Sequence, residues 1–510
     1  MNQKLALEIL LSGESALVTG AAGSGKTYLL NQFIRLARHD GKHVSITATT
    51  GLAATHLGGT TIHAWSGIGI HDGLPGRFVE HMAKGRKEII AKTDVLVIDE
   101  ISMLHDYRLD MVDEVCRLVR EKPDEPFGGI QVVMSGDFFQ LPPINRSESG
   151  RAGGFVVGSN AWQELAPRVL YLTEQHRQTD DTLLDILDRL RAGDLRRRHA
   201  ELLLGRAEES PPDTTTLTEL HTTNVDVDRI NAARLADLEG DTVQYQATTT
   251  GSANYVDNLT RSVLAPQVLE LKLGALVMAV RNDTSRRYAN GSIGIISGFE
   301  PGTDYPLVQF HNGREVTMTP ETWELRDGDK KRASISQIPL RLAWAITVHK
   351  SQGMTLDAAR IDLRKAFVEG MGYVALSRVR SLDTLYLHGI NRMALQVSSV
   401  AQEIDQTLRQ ASQRDATELA HLQAVADKRD LTPPKKSKKT TGSSSWSEKI
   451  AKMRETYPNA YRPWVTTDDA TLKTNFQNGA TIKQLSKELG RHEGSIKMRL
   501  QKHFGEDAVQ

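Results

Sequence analysis

Short apolar, β-rich runs alternate with longer amphipathic stretches through the first 190 or so residues. SALVTG, HVSITATT, DVLVIDE, IQVVMSGD and RVLYLTE are the runs, and most close on Gly, Thr or an acidic residue. Strands alternating with helices predict a doubly wound α/β sheet. After about Leu190 the pattern reads as helices, then strands. A β-rich stretch runs from Leu271 to about Leu325, with turn signals at Asn290-Gly291 and Asn312-Gly313. The α/β pattern returns from Ile338 to His388. From Ser398 to Lys428 the chain is helical and polar, and Pro433-Pro434 ends that stretch. TPPKKSKKTTGSSS, Thr432 to Ser445, predicts a flexible basic linker before a small separate module.

Composition narrows the class only a little. Of 510 residues, 39% are hydrophobic and 25% charged, the balance of an ordinary globular protein. No apolar run approaches the roughly 20 residues that span a bilayer, and the first residues show no secretory signal. These readings predict a cytoplasmic protein with no membrane partner. The lone cysteine, Cys116, rules out an internal disulfide and reads as a buried small hydrophobe. Net charge is +0, so any nucleic acid must be held by local grooves and stacking rather than by bulk charge.

The chemistry begins at Gly20-Ala21-Ala22-Gly23-Ser24-Gly25-Lys26-Thr27. This is a P-loop pattern that follows a strand and opens a helix. Gly20, Gly23, Ser24 and Gly25 let backbone N–H groups converge on phosphates at a helix N-terminus. Lys26 would neutralise the β- and γ-phosphates of ATP, and Thr27 would ligate Mg²⁺. Asp99-Glu100 closes the apolar strand VLVI. There Asp99 would hold the metal and Glu100 would orient or deprotonate the attacking water.

Further strings follow in order: ATTGLAATHLGGTTIHAWSGIG, DEISM, GDFFQLPPI, LTEQHRQ, AITVHKSQGMTLD and YVALSRVR. Together they resemble the ordered motifs of helicase superfamily one. EPFGGIQ, Glu125 to Gln131, resembles the signature of the petite-integration-frequency (PIF) helicase family. The resemblance runs from about Gln3 to His388. It implies two RecA-like parallel-sheet motor domains with small inserted subdomains, and an ATP-dependent DNA helicase moving 5′→3′ in replication, recombination or repair.

The resemblance also implies residue roles. Gln3 would recognise adenine. Gln140 would touch the γ-phosphate, and Arg177 and Arg378 would stabilise the transition state with Glu100. Thr49, Thr50, Thr61 and His63, with His349 and Lys350 from the second domain, would hold DNA phosphates. Phe139, beside Phe138, and Trp65 offer stacking faces for bases. Leu74, Pro75 and Phe78 are candidates for a strand-separating pin. Single-stranded and forked DNA are the expected partners, and a monomer the expected active form. A nucleotide switch without unwinding, a protein-stripping translocase and an RNA helicase are the competing readings.

The expected domains are a first motor domain over 1–190 with an insertion at about 66–92, and a second over 191–398 with a β-barrel-like insertion at about 268–335. A helical extension over 399–431, a linker over 432–446 and a helix-turn-helix-like module over 447–510 follow. In that all-α module Thr467, Asp468 and Asp469 start a helix that Gly479 stops, and Thr481 to Gln484 forms a capping box. Ile482, Leu485, Leu489, Ile496 and Leu500 face inward, with Lys497, Arg499 and Lys502 outward. Such a module binds DNA or docks a replication or repair protein.

Overall fold

Each apolar run of the first half becomes a strand of one sheet. The computed structural model describes residues 1–69, 72–143, 151–209, 217–283, 287–288, 290–311, 313–327, 330–429, 456–459 and 466–504. Strands β1 (Ala16–Gly20), β2 (Val44–Ala48), β3 (Thr60–Thr61), β4 (Val95–Asp99), β5 (Gln131–Ser135) and β6 (Arg168–Leu172) form a parallel sheet in the order β3-β2-β4-β5-β1-β6. Alternate strand residues serve two cores. Leu17, Leu96, Ile98, Val132 and Met134 face one side, and Val18, Val95, Val97, Val133 and Leu170 the other. Burial on both faces explains why these strands read as unbroken apolar runs.

EPFGGIQ has a structural task. Pro126–Gly129 is a tight turn in which Phe127 and Gly128 both take left-handed backbone angles, φ 51° and 60°. Phe127 is fully buried, and its N–H donates to Asp113 Oδ1 at 2.5 Å. A Cβ on Gly128 would lie 2.8 Å from the Cys116 carbonyl oxygen. Gln131 then donates to the carbonyls of Leu10 and Glu14 at 2.7 and 2.8 Å, tying β5 to the first helix. Cys116 is buried, as its setting in the sequence suggests.

A second parallel sheet has the strand order 345–347, 218–221, 359–363, 385–390. Between its first two strands in sequence lie antiparallel β elements that begin at Val243–Gln246 and end at Leu340–Leu342. They start earlier than the expected insertion because Val243–Gln246 pairs with Val268–Leu271, and because Thr248–Gly251, a polar and exposed stretch, pairs with Lys330–Gln337. Nothing in its hydrophobic pattern marks it as a strand. The turn signal at Asn312 lies outside the described residues.

The pin candidates divide. Leu74 and Phe78 pack against the main core, whereas Pro75 is exposed. Packing leaves Leu74 and Phe78 only partly exposed.

Helix Ser399–Glu418 returns to the first sheet and lies along its edge strand β6. Its side chains take the place of a missing strand. Ser412 Oγ accepts from Tyr171 N–H at 3.1 Å and Asp415 Oδ2 from Val169 N–H at 2.7 Å. Arg168 adds ion pairs to Asp415 and Glu418 at 3.0 and 2.8 Å.

Residues 432–510 form a second compact unit. The expected linker over 432–446 and Trp446 lie outside the described residues. Helices Thr466–Gln477, Ile482–Leu489 and Glu493–Phe504 enclose Leu472, Leu485, Leu489, Ile496 and Leu500. Thr481 and Gln484 form the capping box, and Gly490 closes the second helix at φ 59°. One expectation is corrected. Arg499 does not stand free on the outer face, because its Nε and Nη2 donate to Asp469 at 2.7 and 2.5 Å. Arg491, in the turn between the last two helices, pairs likewise with Asp468 at 2.7 Å. The two acidic residues of the first turn are therefore arginine clamps as well as helix-start residues. Lys497 remains exposed, and the side chain of Lys502 lies outside the described residues.

Candidate active site

β1 ends at Gly20, and the turn that follows feeds helix Lys26–His39. Gly20, Gly23 and Gly25 hold φ of 141°, 89° and 85°. Crowding adds to this backbone demand. A Cβ would lie 2.5 Å from the Leu172 carbonyl at Gly20 and 2.7 Å from Arg177 Cβ at Gly23. The Gly25 backbone abuts the Gln3 amide, which donates to the Ser24 carbonyl at 3.3 Å. Gln3 is thus buried against the back of the phosphate loop, bonded to His176 Nε2 at 3.2 Å as well.

Lys26 Nζ folds onto the carbonyls of Gly20 and Ala21, both at 2.9 Å. Burial pulls its pKa down, against the opposing pull of Asp137 and Glu100. Ser24 Oγ is buried with no hydrogen-bond partner. A lysine bonded only to carbonyls, an unpartnered hydroxyl and a turn of left-handed glycines fit a polyphosphate. Thr27 stands exposed in the first turn of the helix, and Asp99 is buried at the end of β4. A hydroxyl and a carboxylate are hard oxygen donors, which suit Mg²⁺ with its retained waters.

Glu100 takes the left-handed conformation at φ 53°, an uncommon state for a residue with a side chain. Its main chain is held from the residue that follows β2, where Thr49 Oγ1 donates to the Glu100 carbonyl at 2.9 Å. Its carboxylate accepts from Gln352 Nε2 at 2.8 Å, and the same nitrogen donates to Gln140 Oε1 at 3.0 Å. Burial, then the neighbouring Asp99 charge, push the Glu100 pKa up to about 7. Burial also raises that of Asp99.

The two parallel sheets send their loops to this one place. Tyr373 Oη accepts the Ala22 N–H of the phosphate loop at 2.9 Å. It also meets Arg191 Nη1 at 2.9 Å and Asp137 Oδ2 at 3.1 Å. Burial works against the charge of Asp137, but Arg191 and Lys26 outweigh it and hold the carboxyl below its ordinary range. Arg177 Nη1 and Gln178 Nε2 both donate to the Ser377 carbonyl, at 3.2 and 3.1 Å. Arg378 is 1% exposed. It donates to the carbonyls of Val374, Ser351 and Met354 at 2.8, 3.2 and 3.2 Å. Burial, reinforced by Arg177, lowers its pKa to about 9. Both arginines share the electrostatic environment of Glu100.

The expected DNA contacts are placed less uniformly. Thr50 Oγ1 accepts from Ala53 N–H and Thr61 Oγ1 from Ala64 N–H, each at 3.2 Å, so both cap short helices. His63 sits on the second of these; burial and then Arg108 lower its pKa to about 4, leaving a neutral ring. Lys350 Nζ donates to Asn224 at 3.0 Å. His349 stacks on Phe367 with ring centroids 6.1 Å apart.

Phe139 is corrected. It is 3% exposed, and the Arg191 guanidinium lies over its ring at 4.2 Å. That ring face is spent inside the protein, not offered to a base. Phe138 and Trp65 are buried too. Phe367, 61% exposed, presents the aromatic surface that they do not, and it was missed. Its only signal was a lone aromatic in the polar run RKAFVEG. Gln352, Tyr373, Asp137 and Arg191 were also missed, although the first three lie inside the motif strings.

The PIF1-like helicase family model matches residues 3–195. The ATP-dependent DNA helicase Pif1 of Psychrobacter sp. is 41% identical over 472 residues, covering 81% of this chain and 71% of that one. This chain belongs to the PIF1-like helicase family. It is an ATP-hydrolysing DNA helicase. Among solved structures, Pif1 helicase from Candida albicans superposes with a TM-score of 0.69 at 35% identity, over 80% of this chain and 98% of that one. Pif1 helicase from Bacteroides in complex with ADP-AlF3 and ssDNA gives 0.61 at 30% identity, over 80% and 96%. The two parallel sheets are the RecA-like motor domains of this family. No helix among the described residues is long and apolar enough to cross a membrane.

Proposed function

We propose that ATP binds where the loops of the two motor sheets meet, and that hydrolysis there drives 5′→3′ movement along single-stranded DNA. The observation that carries this reading is the convergence of Lys26 and Glu100 from one sheet with Arg378 from the other. Lys26 and the loop N–H groups hold the β- and γ-phosphates, and Gln3 holds the adenine edge. Thr27 and Asp99 hold Mg²⁺, which supplies charge neutralisation of the phosphates when bound. Glu100 accepts the proton of the attacking water, Gln140 senses the γ-phosphate, and Arg177 and Arg378 stabilise the transition state. Because Arg378 belongs to the second domain, occupancy and loss of the γ-phosphate change how firmly the domains close.

DNA lies across the loops bearing Thr49, Thr50, Thr61 and His63 on one domain and His349 and Lys350 on the other. Phe367 supplies the stacking face. The C-terminal helices act as a tethered second DNA contact through their exposed lysines. An unwinding assay on duplexes carrying a 5′ tail, a 3′ tail or no tail tests polarity. Preference for the 5′ tail is expected; equal or better unwinding from the 3′ tail overturns it.

A further inference from the structure

Gln352 makes a contact that the motor reading leaves unexplained. Its Nε2 carries two N–H groups, and the two acceptors within reach are Glu100 Oε2 at 2.8 Å and Gln140 Oε1 at 3.0 Å. A water poised for attack has the same needs: two O–H donors, one to the general base and one to the amide that senses the γ-phosphate. The amide nitrogen therefore takes up both acceptors such a water requires.

The segment around Gln352 holds a third group. The Ser351 and Met354 carbonyls each accept from Arg378 Nη1 at 3.2 Å. The Nη1 donors of an arginine bonded to two carbonyls are not free for phosphate oxygens. One short turn thus engages the base, the γ-phosphate sensor and the arginine together.

The same turn faces the proposed DNA surface. Gln352 directly follows His349–Ser351, a single 3₁₀ turn. His349 stacks on exposed Phe367, and Lys350 reaches Asn224. A strand bound at His349 and Lys350 acts on backbone only two or three residues from the amide.

We propose that Gln352 is a positioning residue that stands in for the attacking water when no DNA is bound, and that single-stranded DNA on the His349–Lys350 face withdraws it. DNA stimulates hydrolysis, on this account, by vacating the water position and releasing Arg378 with the same movement. The proposal rests on the roles assigned above to Glu100 and Gln140.

The test measures steady-state ATP hydrolysis by the full chain, with and without saturating oligo-dT. Gln352→Leu keeps side-chain volume and removes both donors; Gln352→Ala is the second variant. Both should raise the DNA-free kcat about tenfold, the weight of one charge-assisted hydrogen bond. The DNA-saturated kcat and the KM for ATP should stay within about twofold, so that the stimulation factor shrinks. A DNA-free kcat that does not rise overturns the proposal. So does a fall in the DNA-saturated kcat, which makes Gln352 an aligning group instead. Glu100→Gln in the same assay separates the two levels. If it hydrolyses ATP at near-normal rate, the role of Glu100 fails and the proposal falls with it. If it is inactive while Gln352→Leu is unchanged, the role stands and only the stand-in fails.

Discussion

The Tyr373 hydroxyl, 351 residues along the chain from Ala22, accepts the Ala22 N–H at 2.9 Å. One phenol therefore joins the motif that carries Arg378 to the loop that holds phosphate. It is also bonded to the buried pair of Arg191 and Asp137, so it cannot be lost without leaving donors unsatisfied. Tyr373→Phe should lower stability by about 1–3 kcal/mol, the cost of stranding buried polar groups. A urea midpoint that drops with unchanged slope would show this, and an unmoved midpoint would refute it.

Lys26→Ala should abolish hydrolysis by removing the phosphate counter-charge. Glu100→Gln should retain nucleotide and DNA binding while losing single-turnover hydrolysis. The wild-type chain adds a pH signature. The carboxylate form is the proton acceptor, and its pKa is raised to about 7, so the hydrolysis rate should climb as pH rises through that value. The stability sign is the opposite. A carboxyl raised above its unfolded pKa contributes most when protonated, and that contribution is lost as pH rises through the folded value. Glu100→Gln should therefore remain relatively more stable than wild type at pH 8 than at pH 5. Denaturation midpoints that keep a constant difference across that window would contradict it.

Arg378→Ala should bind ATP yet hydrolyse it about 10³-fold more slowly, the scale of a transition-state arginine. A loss below about tenfold would reduce Arg378 to the carbonyl contacts seen here.

Phe367→Ala should weaken binding of single-stranded DNA by the worth of one stacked base, about 1–3 kcal/mol. Phe139→Leu should leave that affinity nearly unchanged, since the ring lies under Arg191. Fluorescence anisotropy with labelled oligo-dT distinguishes the two; equal losses would restore Phe139 to the DNA surface.

In the C-terminal unit, Arg499 and then His503 hold the Asp469 carboxyl well below the usual carboxylate range. A depressed carboxyl contributes stability above its unfolded pKa of about 4 and loses it as pH falls further. Asp469→Asn should lower the melting temperature of this unit at neutral pH, and the gap from wild type should close in acid. The pair is partly exposed, so the effect is modest. A gap that persists at low pH would assign Asp469 another role.

The phosphate loop and the acidic strand end could be read in advance because their chemistry is local: consecutive backbone N–H groups, one lysine, one carboxylate. The strands of the first sheet were equally legible, since burial on both faces leaves long apolar runs. What sequence hid was partnership. Gln352 stands 252 residues from Glu100 and 212 from Gln140, and nothing in a motif string says which amide meets which. Phe139 misled because a strand-end aromatic and a stacking platform share one pattern, and only the placement of Arg191 separates them. Arg499 misled for the same reason, its partner lying 30 residues away on another helix.

The helix laid along β6 has a bearing on biosynthesis. Val169 is made 246 residues before Asp415, the side chain that takes up its N–H. At ribosomal speeds of about 5–20 residues per second, the rim of the first sheet waits roughly 12–50 seconds for its cover. Through that interval the nascent chain carries an open strand edge, the template on which neighbouring chains aggregate. A fragment ending before Ser399 would keep every motif of the motor and hold that edge open permanently. The helix along β6 therefore guards solubility during synthesis, and a cloning boundary drawn after the final motif would cut it away.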